Sequence, residues 1–376
     1  MKKVAVLPVP SSMVHAAGET PRSRTTDHRK TFVFSPHIMC PIALLLSLSL
    51  LYLISPELLL LQWKPTPRRF ALHQPLSDKI LFMKAVRSSQ SRHRKCCKNI
   101  TDPPKIAFLF LTNSDLTFVP LWDRFFRSAN PRLFNVYVHA DPSSPVQIPS
   151  SPWFSKQFIP ARGTCRGSPS LIAAERRLLA RAVLDDPSNT LFALVSQHCI
   201  PLHSFSYAYN FLFHQNIPKS YIEIISDDPN LRERYNARGE NIMLPEVPFE
   251  KFRVGSQFFI LAKNHALIVL KDRRLWRKFK LPCLNLNSCY PEEHYFPTLL
   301  STEDPNGCSG FTLTRVNWTG SFDGHPHMYQ PQEISNSLIA TLRKSNSTYS
   351  YLFARKFAPS CLEPLMKVAD DVIFRD

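Results

Sequence analysis

The sequence predicts an α/β domain built on a mostly parallel sheet, and three observations carry that prediction. Short apolar runs recur along the chain, each ending in polar or turn-forming residues. Stretches with apolar residues at helical spacing lie between them. At 376 residues the chain is long enough for a sizeable core, and its 44% hydrophobic content is ordinary for a globular protein.

Taken in order, "KIAFLFLT" (105–112) is a buried strand bounded by Pro104 and Asn113. "FNVYVHAD" (134–141) is a second, ending in Asp141. "SLIAAERRLLARAVL" (170–184) is a helix with its charges on the face opposite the apolar one. "LFALVSQHC" (191–199), "YIEIIS" (221–226) and "GSQFFILA" (255–262) are further strands, and "HALIVLKDRRLWRKF" (265–279) is a helix. Alternation of this kind favours parallel pairing, with ligands at the carboxyl ends of the strands. Asn113, Asp141 and His198 fall at such ends.

The net charge of +17 suggests a nucleic-acid binder until it is divided along the chain. Residues 1–63 carry 6 Lys+Arg against 3 Asp+Glu, residues 64–105 carry 11 against 2, and residues 106–376 carry 29 against 24. The basicity therefore lies ahead of the α/β region, and no nucleic-acid partner is expected. Between Thr31 and Pro56 no Asp, Glu, Lys or Arg occurs, and "IMCPIALLLSLSLLYLIS" (38–55) lies inside. A helix of about 18 residues rises roughly 27 Å, close to the ~30 Å of a bilayer's hydrocarbon. The organisation read from this is a cytoplasmic tail (1–35), a single-pass signal anchor (36–56), a basic, proline-containing stem (57–104) and a lumenal catalytic domain (105–376). Basic residues flank the anchor on both sides, so the type II orientation leans on the sequons at Asn99, Asn317 and Asn346, all beyond the anchor. Eight of the nine cysteines also lie there, where disulfides are permitted.

Several chemistries lack their signatures. The chain has no Gly-x-Gly-x-x-Gly, no P-loop, no Gly-x-Ser-x-Gly and no Cys-x-x-Cys. "CYPEEHYFPTLL" (289–300) remains, with adjacent Glu292 and Glu293 after Pro291. Proline suits a first helical turn, and acids there complement the helix dipole, worth about 0.3–1 kcal/mol. The other reading of this pair is a catalytic base.

The blocks "KIAFLFLT", "YVHADPS", "AAERRLLA", "LPEVPFEKFRVGSQFF", "LWRKFKLPC", "CYPEEHYFPT", "TLTRVNW" and "LFARKFAPS" occur in one order from about Lys105 to Phe374. In them the chain resembles plant members of the core-2/I-branching β-1,6-N-acetylglucosaminyltransferase family. The resemblance implies a GT-A-type fold and an inverting transfer from a UDP-sugar to a glycan acceptor, polysaccharide or glycoprotein, in the Golgi. It implies no cofactor and no divalent metal, and the absence of Asp-x-Asp agrees. N-acetylglucosamine is the default donor sugar; glucuronic acid and xylose are the alternatives among plant relatives. A non-catalytic Golgi scaffold that binds nucleotide or glycan is the competing reading.

Carried over residue by residue, the resemblance makes Glu293 the base, with Glu292 in the variable place before it. His294 is either an alternative base or a packing residue. Lys356, with Arg355 beside it, becomes the diphosphate partner, the bland alternative being a solvated basic turn. Asp141 contacts the uridine or merely forms a turn before Pro142, and Thr112 and Asn113 bind the uracil. Gly255 and Ser256 lie near the donor. The family's second phosphate-binding arginine has no match here, and Arg343 is the nearest candidate. "RGSPS" (166–170) departs from the aromatic-Gly pattern of plant relatives, which marks it as a place where substrate contacts differ. The helix dipole is expected to hold Glu293 ionised.

Overall fold

A computed structural model describes residues 77–95, 102–214, 219–321, 324–347 and 349–376. The tail, the 36–56 segment, residues 57–76, Cys96, Cys97 and the Asn99 sequon lie outside these residues. Among the described residues no helix is long and apolar enough to cross a membrane.

Strand β1 (Lys105–Thr112) is apolar on both faces because it is central. It pairs in parallel with β2 (Phe134–Ala140) on one side and β3 (Asn189–Ser196) on the other. A strand covered on both faces needs a continuous apolar run, which is what Ile106–Leu111 provides. The sheet continues through β6 (Ile260–Ala262), β5 (Ser220–Glu223) and β7 (Cys308–Gly310), in the order β2-β1-β3-β6-β5-β7. Only β6 runs against its neighbours. A second sheet has the order β4-β9-β8, from Ile200–Pro201, Phe353–Arg355 and Thr314–Val316. Phe108, Trp122, Phe125, Phe126 and Phe353 pack edge-on and stacked between the two sheets. Trp122 donates its indole N–H to the Cys199 carbonyl at 3.2 Å, so that ring's polar atom is satisfied.

Four expectations need correction. Residues 78–95, assigned to the stem for their basic character, form helix α1 (Asp78–Lys95), whose Leu81, Phe82, Ala85 and Val86 pack onto the core. The second correction follows from it. Helix α2 (Val119–Arg127) is amphipathic in the ordinary way. In α3 (Pro169–Asp185), however, Glu175, Arg176 and Arg177 are buried rather than solvated. α1 covers the two arginines: Arg177 grips Asp78 through two bonds of 2.6 and 2.7 Å. Arg176 sits 4.8 Å from the Phe82 ring and 5.0 Å from that of Trp276.

Third, the helix expected over 265–279 is two: α6 (Lys263–Lys271) and α7 (Arg274–Phe279). α4 (Phe205–Phe213) and α5 (Leu231–Asn236) precede them. Asp272 breaks the run by accepting the N–H groups of Arg274, Leu275 and Trp276, as a capping aspartate does. Fourth, only Ile260–Ala262 of "GSQFFILA" joins the sheet. Its first residues leave the ladder and approach Glu223 and α8 (Glu292–Glu303), where the candidate site lies.

The disulfide Cys283–Cys289 closes a short loop just ahead of α8. Cys165, Cys199, Cys308 and Cys361 are unpaired.

Candidate active site

The carboxyl ends of β1 and β3 open into a cavity of about 660 Å³. Thr112 and Asn113 enter it from β1, and Ser196, Gln197 and His198 from β3. The end of β9 supplies Arg355 and Lys356, α5 supplies Arg234, and the first turn of α8 supplies Glu292 and Glu293. A volume in this range suits a small-molecule or cofactor site.

Of the eight site residues expected from sequence, seven line this cavity: Thr112, Asn113, Gly255, Ser256, Glu293, Arg355 and Lys356. Asp141 does not. It is 3% exposed, and its carboxylate accepts four bonds of 2.6–2.8 Å, from the N–H and hydroxyl of Ser143 and of Thr164. Burial pushes its pKa up, but those four donors outweigh it and hold the group at about 2. Asp141 therefore anchors Thr164, which does line the cavity. Arg343 is also elsewhere. Its guanidinium is spent on the carbonyls of Leu202, Val372 and Ile373, at 2.7 to 3.1 Å.

Two arginines outside the expected set line the cavity, Arg234 and Arg166. Arg234 places Nη1 3.0 Å from Glu293 Oε2. Arg166 lies on the loop before α3 and reaches His325 and the Gly324 carbonyl across the cavity mouth. Sequence reasoning did not find them. The one available signal for Arg166 was its position in the atypical "RGSPS" stretch; Arg234 looked like any surface arginine of a short helix.

Glycine is required at 255. A Cβ there would lie 2.0 Å from the Glu223 carbonyl oxygen. The close approach lets the Gly255 N–H donate to the Glu293 carbonyl at 2.9 Å, which ties the first turn of α8 to the sheet. Ser256 accepts the Phe258 N–H at 3.1 Å, fixing the same loop.

The electrostatics differ from the expectation of a dipole-stabilised, freely ionised Glu293. Burial raises its pKa above the ordinary carboxyl value, opposed by Arg234, Arg355 and Arg166. Burial likewise lowers Lys356, helped by Arg355 and Arg166. His198 is lowered to about 4, by burial first, while its Nδ1 meets the Phe357 carbonyl at 3.0 Å. His294 is wholly buried, stacks on Phe252 and bonds the Arg253 carbonyl, so it packs the helix. Among the described residues no group of three His, Cys, Asp or Glu is placed to hold a metal ion. A half-buried carboxylate that feels Arg234, Arg355 and Arg166, with Lys356 lining the same cavity, is equipped to take a proton while an anion forms nearby.

Residues 106–343 match the model of the core-2/I-branching enzyme family. The chain is also similar to glycosyltransferase BC10 of rice, Oryza sativa subsp. japonica. The two are 28% identical over 302 residues, covering 67% of this chain and 73% of the rice protein.

Proposed function

The chain belongs to the core-2/I-branching enzyme family, a glycosyltransferase, and on that premise we propose an inverting, metal-independent transfer from a UDP-sugar to a glycan acceptor. The observation that carries this reading is the shared cavity: Glu293 stands in one wall, with Lys356, Arg355, Arg166 and Arg234 around the same space.

The acceptor hydroxyl attacks the anomeric carbon from the face opposite the UDP. A new carbon–oxygen bond forms as the bond to the β-phosphate oxygen breaks. The hydroxyl proton passes to the Glu293 carboxylate, and the electron pair of the broken bond leaves on the diphosphate. Burial raises the proton affinity of Glu293 above that of an ordinary carboxylate, which strengthens it as a base, and Arg234 opposes that rise. Lys356 and Arg355 meet the charge growing on the leaving group. No cofactor takes part in this scheme; the UDP-sugar is substrate.

The donor sugar proposed is N-acetylglucosamine, the one the family's name carries. The mostly parallel sheet whose carboxyl ends open into the cavity supports a GT-A-type architecture. Residues 36–56 are proposed to anchor the protein once through the Golgi membrane with its catalytic part lumenal. The test is sugar transfer by the full chain in detergent, with a panel of UDP-sugars and EDTA present. Turnover of one donor with inversion is expected. Activity appearing only when a divalent ion is restored contradicts the metal-free mechanism.

A further inference from the structure

Glu292 does not behave as a surface complement to the helix dipole. It is 5% exposed, it lines the cavity beside Glu293, and its Oε2 has no hydrogen-bond partner among the described residues. Behind it, Glu175 of α3 is fully buried. Glu175 Oε1 accepts from Gln257 Nε2 at 2.7 Å, and its Oε2 is likewise without a partner among the described residues. Two buried carboxyls that feel each other, each with an unsatisfied oxygen, are far costlier ionised than neutral.

We propose that Glu292 sets the affinity of the cavity for the donor's diphosphate according to pH: neutral, it adds nothing to the negative charge of Glu293, and ionised, it cancels a further part of the cationic wall's charge. This rests on the donor-site reading above. The charged groups around Glu292 come from every neighbouring element. They are Glu293 on its own helix, Glu175 on α3, Arg166 and the Gly167 N–H from the loop before α3, and Arg238 after α5. Arg238 is 3% exposed, lies 5.0 Å from the Phe279 ring and donates to the Phe279 carbonyl at 3.4 Å. Burial is the largest influence on Glu292 and carries its pKa to about 7; its own backbone N–H opposes the rise, Glu293 adds to it, and Arg166 and the Gly167 N–H oppose it. The sign follows. A bound dianion favours the neutral acid, so affinity is full below this value and falls as pH rises through it.

The probe is the β-methyl ester of UDP, which carries no sugar and whose diphosphate keeps a constant charge through neutral pH. Calorimetry with the full chain in detergent and EDTA is expected to show affinity falling about tenfold between about pH 6 and about pH 8, the size of one added charge in a partly screened site. In Glu292→Gln the fall shrinks to less than about twofold. Because that variant can fail to fold, a second measurement uses the unaltered protein: binding near neutral pH, compared in buffers of different ionisation heat, takes up protons. A fall of equal size in Glu292→Gln, or no proton uptake by the parent protein, overturns the inference and leaves the donor site standing. No binding of the probe at any pH overturns the donor site and this inference with it.

Discussion

Arg234 and Glu293 form an ion pair at 3.0 Å inside the cavity, with the arginine side chain 20% and the carboxylate 24% exposed. The pair does two things at once. It orients the carboxylate and opposes the effect of burial on its proton affinity.

Replacing Arg234 with Gln should therefore raise the Glu293 pKa further. Activity that needs the ionised base grows as pH rises through that value. The acid limb of kcat/KM against pH should move up by about one unit, with little change on the alkaline side. An unmoved limb would mean that another group titrates there.

Lys356 and Arg343 separate the cavity's cations from the fold's. Lys356→Ala should weaken donor binding about 10- to 100-fold, as expected for a lost charge-assisted contact. Arg343→Ala should leave donor affinity within about twofold and instead lower stability, since its guanidinium ties the Leu202 carbonyl to those of Val372 and Ile373. Calorimetric titration and thermal melting of the two variants decide between them.

Gly255→Ala forces a methyl group against a backbone oxygen that cannot move aside without shifting β5. A loss of about 1–3 kcal/mol is expected, together with reduced transfer because the Gly255–Glu293 bond is disturbed. Denaturant unfolding with a parallel activity assay checks both.

Asp141 gives a pH-dependent stability. Its folded pKa of about 2 lies below the ordinary 3.8, so its contribution is complete above about pH 4 and is lost as pH falls toward 2. The difference corresponds to about 2 kcal/mol. Asp141→Ala should lower the unfolding free energy by about that much at neutral pH, and the gap from the parent protein should narrow across that window.

Much of the framework was legible because it rests on runs of one period. The central strands β1 to β3 and the helix α3 follow directly from apolar patterning. The errors share a physical cause: a tertiary partner that periodicity does not reveal. Arg176 and Arg177 read as solvated until α1 is placed over them. The single side chain of Asp272 outweighs a helical pattern that otherwise continues. In the site, residues in contiguous motifs were found, and those delivered by folding alone, Arg166 and Arg234, were not. Asp141 sits at a strand end, yet its oxygens are already committed to Ser143 and Thr164, partners that folding brings to it.

The measurement closest to the central claim compares Glu293→Gln with the parent protein for sugar transfer and for UDP binding in the same preparation. The amide keeps the size of the side chain and removes its basicity. Transfer should fall by about 10²–10⁴-fold, while UDP affinity stays within a few-fold of the parent's. Transfer at the parental rate by Glu293→Gln would assign the proton to another group and contradict the mechanism.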